Sequence, residues 1–154
     1  MKTISLNVNY GGQSFIGFAF SALPLGAALI VAQEQIDQAA DQARLSVLGD
    51  SMRAVEYQLT AEEAEAFAAG NYVGEVPGTV QAWMDAVGKD AVSATEEILA
   101  KANAWKTALY QIRAARLKGK HEVLLATTHG AAEAIADSAI AAIHASVQGI
   151  ESVG

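Results

Sequence analysis

Between Ile98 and Ile112 the apolar positions Ile98, Ala102, Trp105, Leu109 and Ile112 fall at alternating steps of four and three. That spacing keeps one stripe along one side of an α-helix. The whole segment Ser93 to Lys120 is predicted as a single amphipathic helix. Ser93 or Thr95 is placed to cap its start, Glu96 and Glu97 lie in the first turn, and Arg113, Arg116 and Lys118 approach the negative end before Gly119. The same alternation runs through Leu29, Ala32, Ile36, Ala39 and Ala43. It predicts a helix over Leu25 to Leu48, with Pro24 in its first turn and Gly49-Asp50 closing it. Two shorter helices follow from local signals. Thr60 and Glu63 have the spacing of a capping box for Thr60 to Ala69, stopped by Gly70-Asn71, and Thr79 can cap Val80 to Val87 ahead of Gly88-Lys89-Asp90. A last helix from Ala131 onward carries Ile140, Ile143, Val147 and Ile150 at steps of three, four and three.

The N-terminus has a different period. Ile4, Leu6, Val8 and Tyr10 alternate with polar residues, as in a half-buried strand. Gly11-Gly12 supplies a turn, and Phe15 to Phe20 can return as a second strand. Ser51 to Leu59 fits either helix or extended chain. Tyr72 to Gly78 is the least regular stretch and the best position for a hinge. The short apolar run Val123-Leu124-Leu125 is followed by a break at Thr127 to Gly130. The expected fold is therefore mainly α, a helical bundle with a short N-terminal strand or hairpin. Its expected organisation is a docking segment over 1–22, a helical domain over 23–121 with a hinge near 72–78, and an association helix over 122–154.

Composition adds an argument about assembly. The chain has 154 residues, of which 52% are hydrophobic but only 6% aromatic. Much of the apolar content is alanine, which favours helix but buries little area, so stripes of this kind gain by packing against other copies. Coiled-coil-like packing in a homo-oligomer is expected, a trimer being the favoured state. Candidate interface residues are Phe15, Phe18, Phe20, Trp83, Ile98, Trp105, Leu109, Ile112, Ile140, Ile143, Val147 and Ile150.

A net charge of −7 argues against a nucleic-acid partner, because phosphate binding needs clustered cations. Lys106, Arg113, Arg116, Lys118 and Lys120 nevertheless gather five of the ten basic residues, while Glu34 to Glu97 is predominantly acidic. The basic cluster reads either as a solvated helix end or as a match for an acidic face on another copy. Phe15 to Ala32 is eighteen residues without a charge, the lower limit for a membrane span. Gly17, Pro24 and Gly26 interrupt it and no Lys or Arg flanks it closely, so burial in a core or interface is favoured over a small membrane-associated protein. A cleaved signal segment fits less well, since a strand-like stretch separates Lys2 from the apolar run.

Candidate chemistry is sparse. The absence of cysteine excludes disulfides and thiolate sites. His121, His129 and His144 show no metal-ligand spacing, so neither a metal nor a cofactor is expected. The Thr127-Thr128-His129-Gly130 cluster reads as a turn before the last helix, with ligand contact or catalysis as the alternatives. Gly11-Gly12-Gln13-Ser14 lacks the frame of a phosphate-binding loop. Glu62, Glu63 and Glu65 would spread around a helix and not converge as an acid/base pair. Trp83 and Trp105 are candidates for core, intersubunit contact or ligand stacking.

Three ordered segments resemble a known module: ARLSVLGDSMRAVEY at Ala43 to Tyr57, EAEAFAAGNYVGEVPGTVQAW at Glu63 to Trp83, and ATEEILAKANAWKTALYQIRAARLKGK at Ala94 to Lys120. The joint occurrence of R-x-x-E-Y, Y-x-G-x-V-P, A-W and W-x-x-x-L-x-x-I-R-x-x-R-L is similar to tailed-bacteriophage virion proteins, especially those associated with tail fibres and tail tips. The resemblance covers about half of the chain, leaving out the first forty residues and the terminal helix. It implies a structural or adaptor role in the virion, reached through the host cytoplasm during assembly, with other phage tail proteins as partners and no catalytic residues.

Overall fold

A computed structural model describes residues 1–49 and 51–150, except for the side chains of Ser51 and Met52. Two strands, β1 (Leu6–Tyr10) and β2 (Gln13–Phe18), are followed by a 3-10 turn at Phe20–Ala22 and five helices. These are α1 (Leu25–Leu48), α2 (Ser51–Ala69), α3 (Gly78–Val87), α4 (Ala91–Leu124) and α5 (His129–Ala145). The described chain is thus mainly α with a short N-terminal antiparallel hairpin, as the hydrophobic periods predict. Its contacts divide it into two compact units, one of Met1–Ser46 with Leu109–Gly149, the other of Val47–Ala108 with Ile150. This division does not follow the expected boundaries at 22/23 and 121/122. The hairpin and helix α5, far apart in sequence, both belong to the first unit, where Leu6, Val8, Ala132, Ala136, Ala139 and Ile143 are buried.

In the first unit the hairpin turns at Gly11 and Gly12, whose φ values of 59° and 76° are the consecutive left-handed conformations of a tight two-residue turn. Pairing runs from Tyr10 opposite Gln13 to Leu6 opposite Phe18, with a register shift between Leu6 and Asn7. Leu6 and Val8 are buried. The outward Asn7 accepts from the Gly17 amide at 2.9 Å, and Asn9 accepts from the Ser14 hydroxyl at 2.6 Å. The first strand starts at Leu6 and not at Ile4, and the second runs Gln13–Phe18 and not Phe15 to Phe20. Phe20 leaves the ladder, its amide donating to the Thr3 carbonyl at 2.8 Å, and its ring is buried edge-on to the His129 imidazole.

Small residues let the helices of this unit approach closely. Buried positions on α1 include Ala28, Ala32, Ile36, Ala39 and Ala43; α4 contributes Ile112, Gly119 and Val123, and α5 contributes Ala132, Ala136, Ala139 and Ile143. Gly119 does not end its helix as predicted. It lies inside α4, where a Cβ would fall under 3.0 Å from Ala139 Cβ and 3.3 Å from Ile36 Cδ1. The sequence Val123-Leu124 therefore continues α4. Arg116 and Lys120 do not form a free basic end, because both donate to the Asp37 carboxylate on α1, Arg116 at 2.6 Å. Burial raises the Asp37 pKa, but the hydrogen bonds from Lys120 and Arg116 outweigh it and hold the carboxyl below its ordinary value.

Phe15 to Ala32 is divided among β2, the 3-10 turn and the first turns of α1. Phe20, Leu23, Ala27, Ala28, Val31 and Ala32 are buried. Among the described residues no helix is long and apolar enough to cross a membrane.

In the second unit α2 is one continuous helix, which resolves Ser51 to Leu59 as helical. Thr60 is not its cap. The Thr60 hydroxyl donates back to the Glu56 carbonyl at 2.9 Å, while Glu63 reaches forward to α3, accepting from the Thr79 amide at 3.2 Å and the Thr79 hydroxyl at 2.7 Å. Between these helices Asn71 and Tyr72 are left-handed, and Tyr72 packs on Phe67 with ring centroids 5.7 Å apart. Helix α3 stops at Gly88, left-handed with φ 69°. The start of α4 is capped by Asp90 and by neither Ser93 nor Thr95. The Asp90 carboxylate accepts from the Ser93 amide at 2.9 Å and the Ser93 hydroxyl at 3.0 Å, bonds that lower its pKa. Thr95 is buried, donating to the Ala91 carbonyl at 2.7 Å. Of the predicted Gly49-Asp50 turn, Gly49 is left-handed with φ 62°, and Asp50 lies outside the described residues, as do 151–154 of the predicted association segment.

Candidate docking cleft

The second unit has a small buried cluster of Ala64, Val80, Ala94 and Ile98, with Val76, Trp83, Met84 and Leu99 packed against it. Above this cluster α2, α3 and α4 leave a half-open cleft of about 230 Å³. Helical spacing places its lining: Tyr57, Thr60 and Ala61 share a face of α2, Ala82 and Trp83 lie on α3, and Ile98, Lys101, Ala102 and Trp105 share a face of α4.

Three aromatic rings wall the cleft. Tyr57 and Trp105 are tilted at 54° with centroids 4.8 Å apart, within the range of favourable aromatic pairing. Trp83 carries the Lys101 ammonium 4.4 Å from its ring centroid, a cation–π contact. The Trp83 indole N–H donates to Glu97 Oε2 at 3.3 Å, and Lys89 donates to the same oxygen at 2.7 Å. These bonds, that from Lys89 foremost, hold the Glu97 pKa below the ordinary carboxylate value and fix the indole plane. The two threonine hydroxyls at the rim, Thr60 and Thr79, already donate to Glu56 and Glu63. What the cleft offers is an apolar, aromatic space with a lysine charge at its edge. Such a site takes a bulky apolar group accompanied by an anion.

The structure brings only three of the predicted interface residues together here, Trp83, Ile98 and Trp105. Leu109 is half-buried and Ile112 buried in the first unit, so the predicted α4 stripe serves two separate cores. Phe15 and Phe18 stack edge to face on the hairpin, with centroids 5.4 Å apart. Phe20, Ile98, Ile112 and Ile143 are covered by their own chain, so their apolar surface is not available to another copy. Ile140 is half-buried on α5, but Val147 and Ile150 lie beyond the helix end at Ala145, so the expected terminal seam is not one helical stripe. The face of α5 that packs is instead Ala132, Ala136, Ala139 and Ile143.

His129 opens α5 and donates from Nε2 to the Leu23 carbonyl at 2.9 Å, tying the 3-10 turn to that helix. Among the described residues no group of three or more His, Asp or Glu side chains is arranged to hold a metal ion. Tyr57 and Lys101 are not among the predicted interface residues, although Tyr57 belongs to the R-x-x-E-Y motif. The available signal was the i, i+4 pair Lys101 and Trp105, which puts a cation and an aromatic on one helical face. No protein-family model, no curated protein and no solved structure matches the chain.

Proposed function

We propose that the chain is a non-enzymatic structural adaptor of a bacteriophage tail or tail-fibre apparatus, seating a segment of another virion protein in the aromatic cleft of its second unit. The observation that carries this reading is the wall of the cleft itself. Tyr57 ends the R-x-x-E-Y motif, Trp83 ends A-W, and Trp105 begins W-x-x-x-L-x-x-I-R-x-x-R-L, so three of the four aromatic positions of the phage-like motifs line one site, while Tyr72 of Y-x-G-x-V-P packs on Phe67. The occupant is a peptide segment with a bulky apolar side chain next to a carboxylate, the first for the rings and the second for Lys101. Binding of this kind is worth most where one anchor is fully desolvated, and the half-open shape suits a single inserted side chain. The protein would reach the virion from the host cytoplasm during assembly.

Particles purified from the source culture, probed with antiserum against the recombinant chain and by immunogold electron microscopy, test the reading. Label on the tail is expected, with incorporation reduced at least tenfold for Trp105→Ala or Lys101→Glu. A chain that remains wholly outside purified particles would refute the virion role. Incorporation unaffected by either substitution would refute the cleft as the docking site.

A further inference from the structure

Two helical stripes are left uncovered, and they carry opposite charge. On the C-terminal half of α4, Tyr110, Ala114, Leu117, His121 and Leu124 are all exposed at steps of four, three, four and three. The large members stand well out in solvent, Tyr110 at 62%, Leu117 at 48% and Leu124 at 58% exposure. Arg113 and Lys118 flank this stripe. Among the described residues Arg113 has no ion pair, and Lys118 has only Glu122, one turn along at 3.9 Å. From Leu109 to Leu124 this stretch holds four Lys or Arg residues, of which Arg116 and Lys120 are engaged by Asp37, and one carboxylate.

On α2, Val55, Leu59, Glu62, Ala66 and Ala69 repeat the same steps and are likewise exposed, Val55 at 67% and Leu59 at 50%. Glu56 and Glu65 flank them, and Ser51–Ala69 holds four carboxylates and one arginine. No ion pair engages Glu56 or Glu65 among the described residues. Each stripe covers two heptads, roughly 20 Å of helix.

We infer that these stripes bind each other between copies: the acidic α2 stripe of one chain docks along the basic α4 stripe of the next. Like-with-like pairing would oppose Arg113 and Lys118 to themselves, or Glu56 and Glu65 to themselves, and both arrangements are repulsive. Acid-on-base pairing covers Val55 and Leu59 against Tyr110, Leu117 and Leu124 while bringing opposite charges together at the edges. The two surfaces differ, so the contact is heterologous and each chain keeps one stripe free for a further copy, giving a ring or an open fibre. It uses residues outside the aromatic cleft and holds whether or not that cleft binds a partner.

Complementation between two single-face variants tests this. Leu117→Glu disables the α4 stripe and leaves the α2 stripe intact; Leu59→Lys does the reverse. Both positions are exposed, and circular dichroism checks that the helices persist. Sedimentation and light scattering should show concentration-dependent association of the wild type, weakened as salt rises from about 50 mM to about 1 M. Each variant alone should run at the 16.0 kDa chain mass, and their equimolar mixture at twice that mass and no further. Val55→Ser and Tyr110→Ser, milder changes in the same stripes, should each weaken wild-type association at least fivefold. A wild type that stays monomeric at millimolar concentration, variants that associate as the wild type does, or a mixture that remains monomeric would each overturn the inference.

Discussion

Gly119 is the position where a single added methyl group has the clearest calculable effect. In an isolated helix Gly→Ala stabilises by about 0.5–1 kcal/mol, through backbone entropy and helix propensity. At Gly119 the new Cβ would fall under 3.0 Å from Ala139 Cβ, where carbon atoms need roughly 3.5–4.0 Å, and 3.3 Å from Ile36 Cδ1. The Ile36 terminus can swing aside. Ala139 Cβ is fixed to its helix, so relief requires α4 and α5 to separate by roughly 0.5 Å or more. Overpacking of this kind costs about 1–3 kcal/mol, so after the propensity gain Gly119→Ala should lose about 1 kcal/mol net. Urea denaturation read by circular dichroism measures the loss, and amide hydrogen exchange along α5 localises it. The decisive comparison is the double variant Gly119→Ala with Ala139→Gly, which moves the methyl from one helix to the other. Its stability should exceed the sum of the two single effects by about 1–2 kcal/mol. A Gly119→Ala chain more stable than wild type, or a double variant that is merely additive, would show that the two helices do not cross this closely.

Asp37→Asn should destabilise the first unit by about 1 kcal/mol at neutral pH, since Arg116 and Lys120 lose a partly exposed anionic partner. The folded Asp37 pKa lies below its unfolded value of about 3.9, so its contribution is full above that pH and disappears as pH falls through the folded value; wild type and variant should converge in acid denaturation curves below about pH 4. Glu63→Ala should cost about 1 kcal/mol and raise amide exchange in the first turn of α3, because the Thr79 amide loses its acceptor; unchanged exchange there would contradict the forward cap. Thr128→Ala removes the side-chain acceptor of the Ala131 amide at 3.1 Å and should lower stability by about 1 kcal/mol, restored by Thr128→Ser or Thr128→Asp in thermal melts.

The sequence pattern was most informative where backbone punctuation and hydrophobic period agreed. Pro24 and Gly49 bracket α1, and its bounds at Leu25 and Leu48 follow. Gly11-Gly12 likewise specifies the hairpin, because few other dipeptides accept two left-handed conformations in succession. Side-chain partners distant in sequence were illegible. Thr60 and Glu63 have capping-box spacing, yet the same residue types serve inside a helix when the hydroxyl bonds back one turn and the carboxylate finds Thr79, sixteen positions on. Of the cleft, its two tryptophans were visible as large apolar bodies. That Tyr57 and Lys101 join them was not visible, since nothing local to α2 or α4 states that they meet around a common space.

The long helix shows how a periodic apolar signal can fade along the very face that packs. Its buried side runs Ile98, Ala102, Trp105, Leu109 and Ile112 and then continues in the same rhythm through Arg116, Gly119 and Val123. The periodic signal fades at Arg116 and Gly119, which is where packing is tightest: a glycine admits Ala139, and the arginine enters as the partner of Asp37. Over this same stretch the opposite side carries Tyr110, Leu117 and Leu124, all exposed, while Gly119 is buried. Water is a poor environment for those three side chains, and burying each is worth about 1.5–3 kcal/mol. A helix that turns glycine to its own core and leucine to solvent has its remaining apolar stabilisation available for association. The paired cations beside that stripe, and the carboxylates beside its counterpart on α2, restrict what can cover it to a surface of opposite charge.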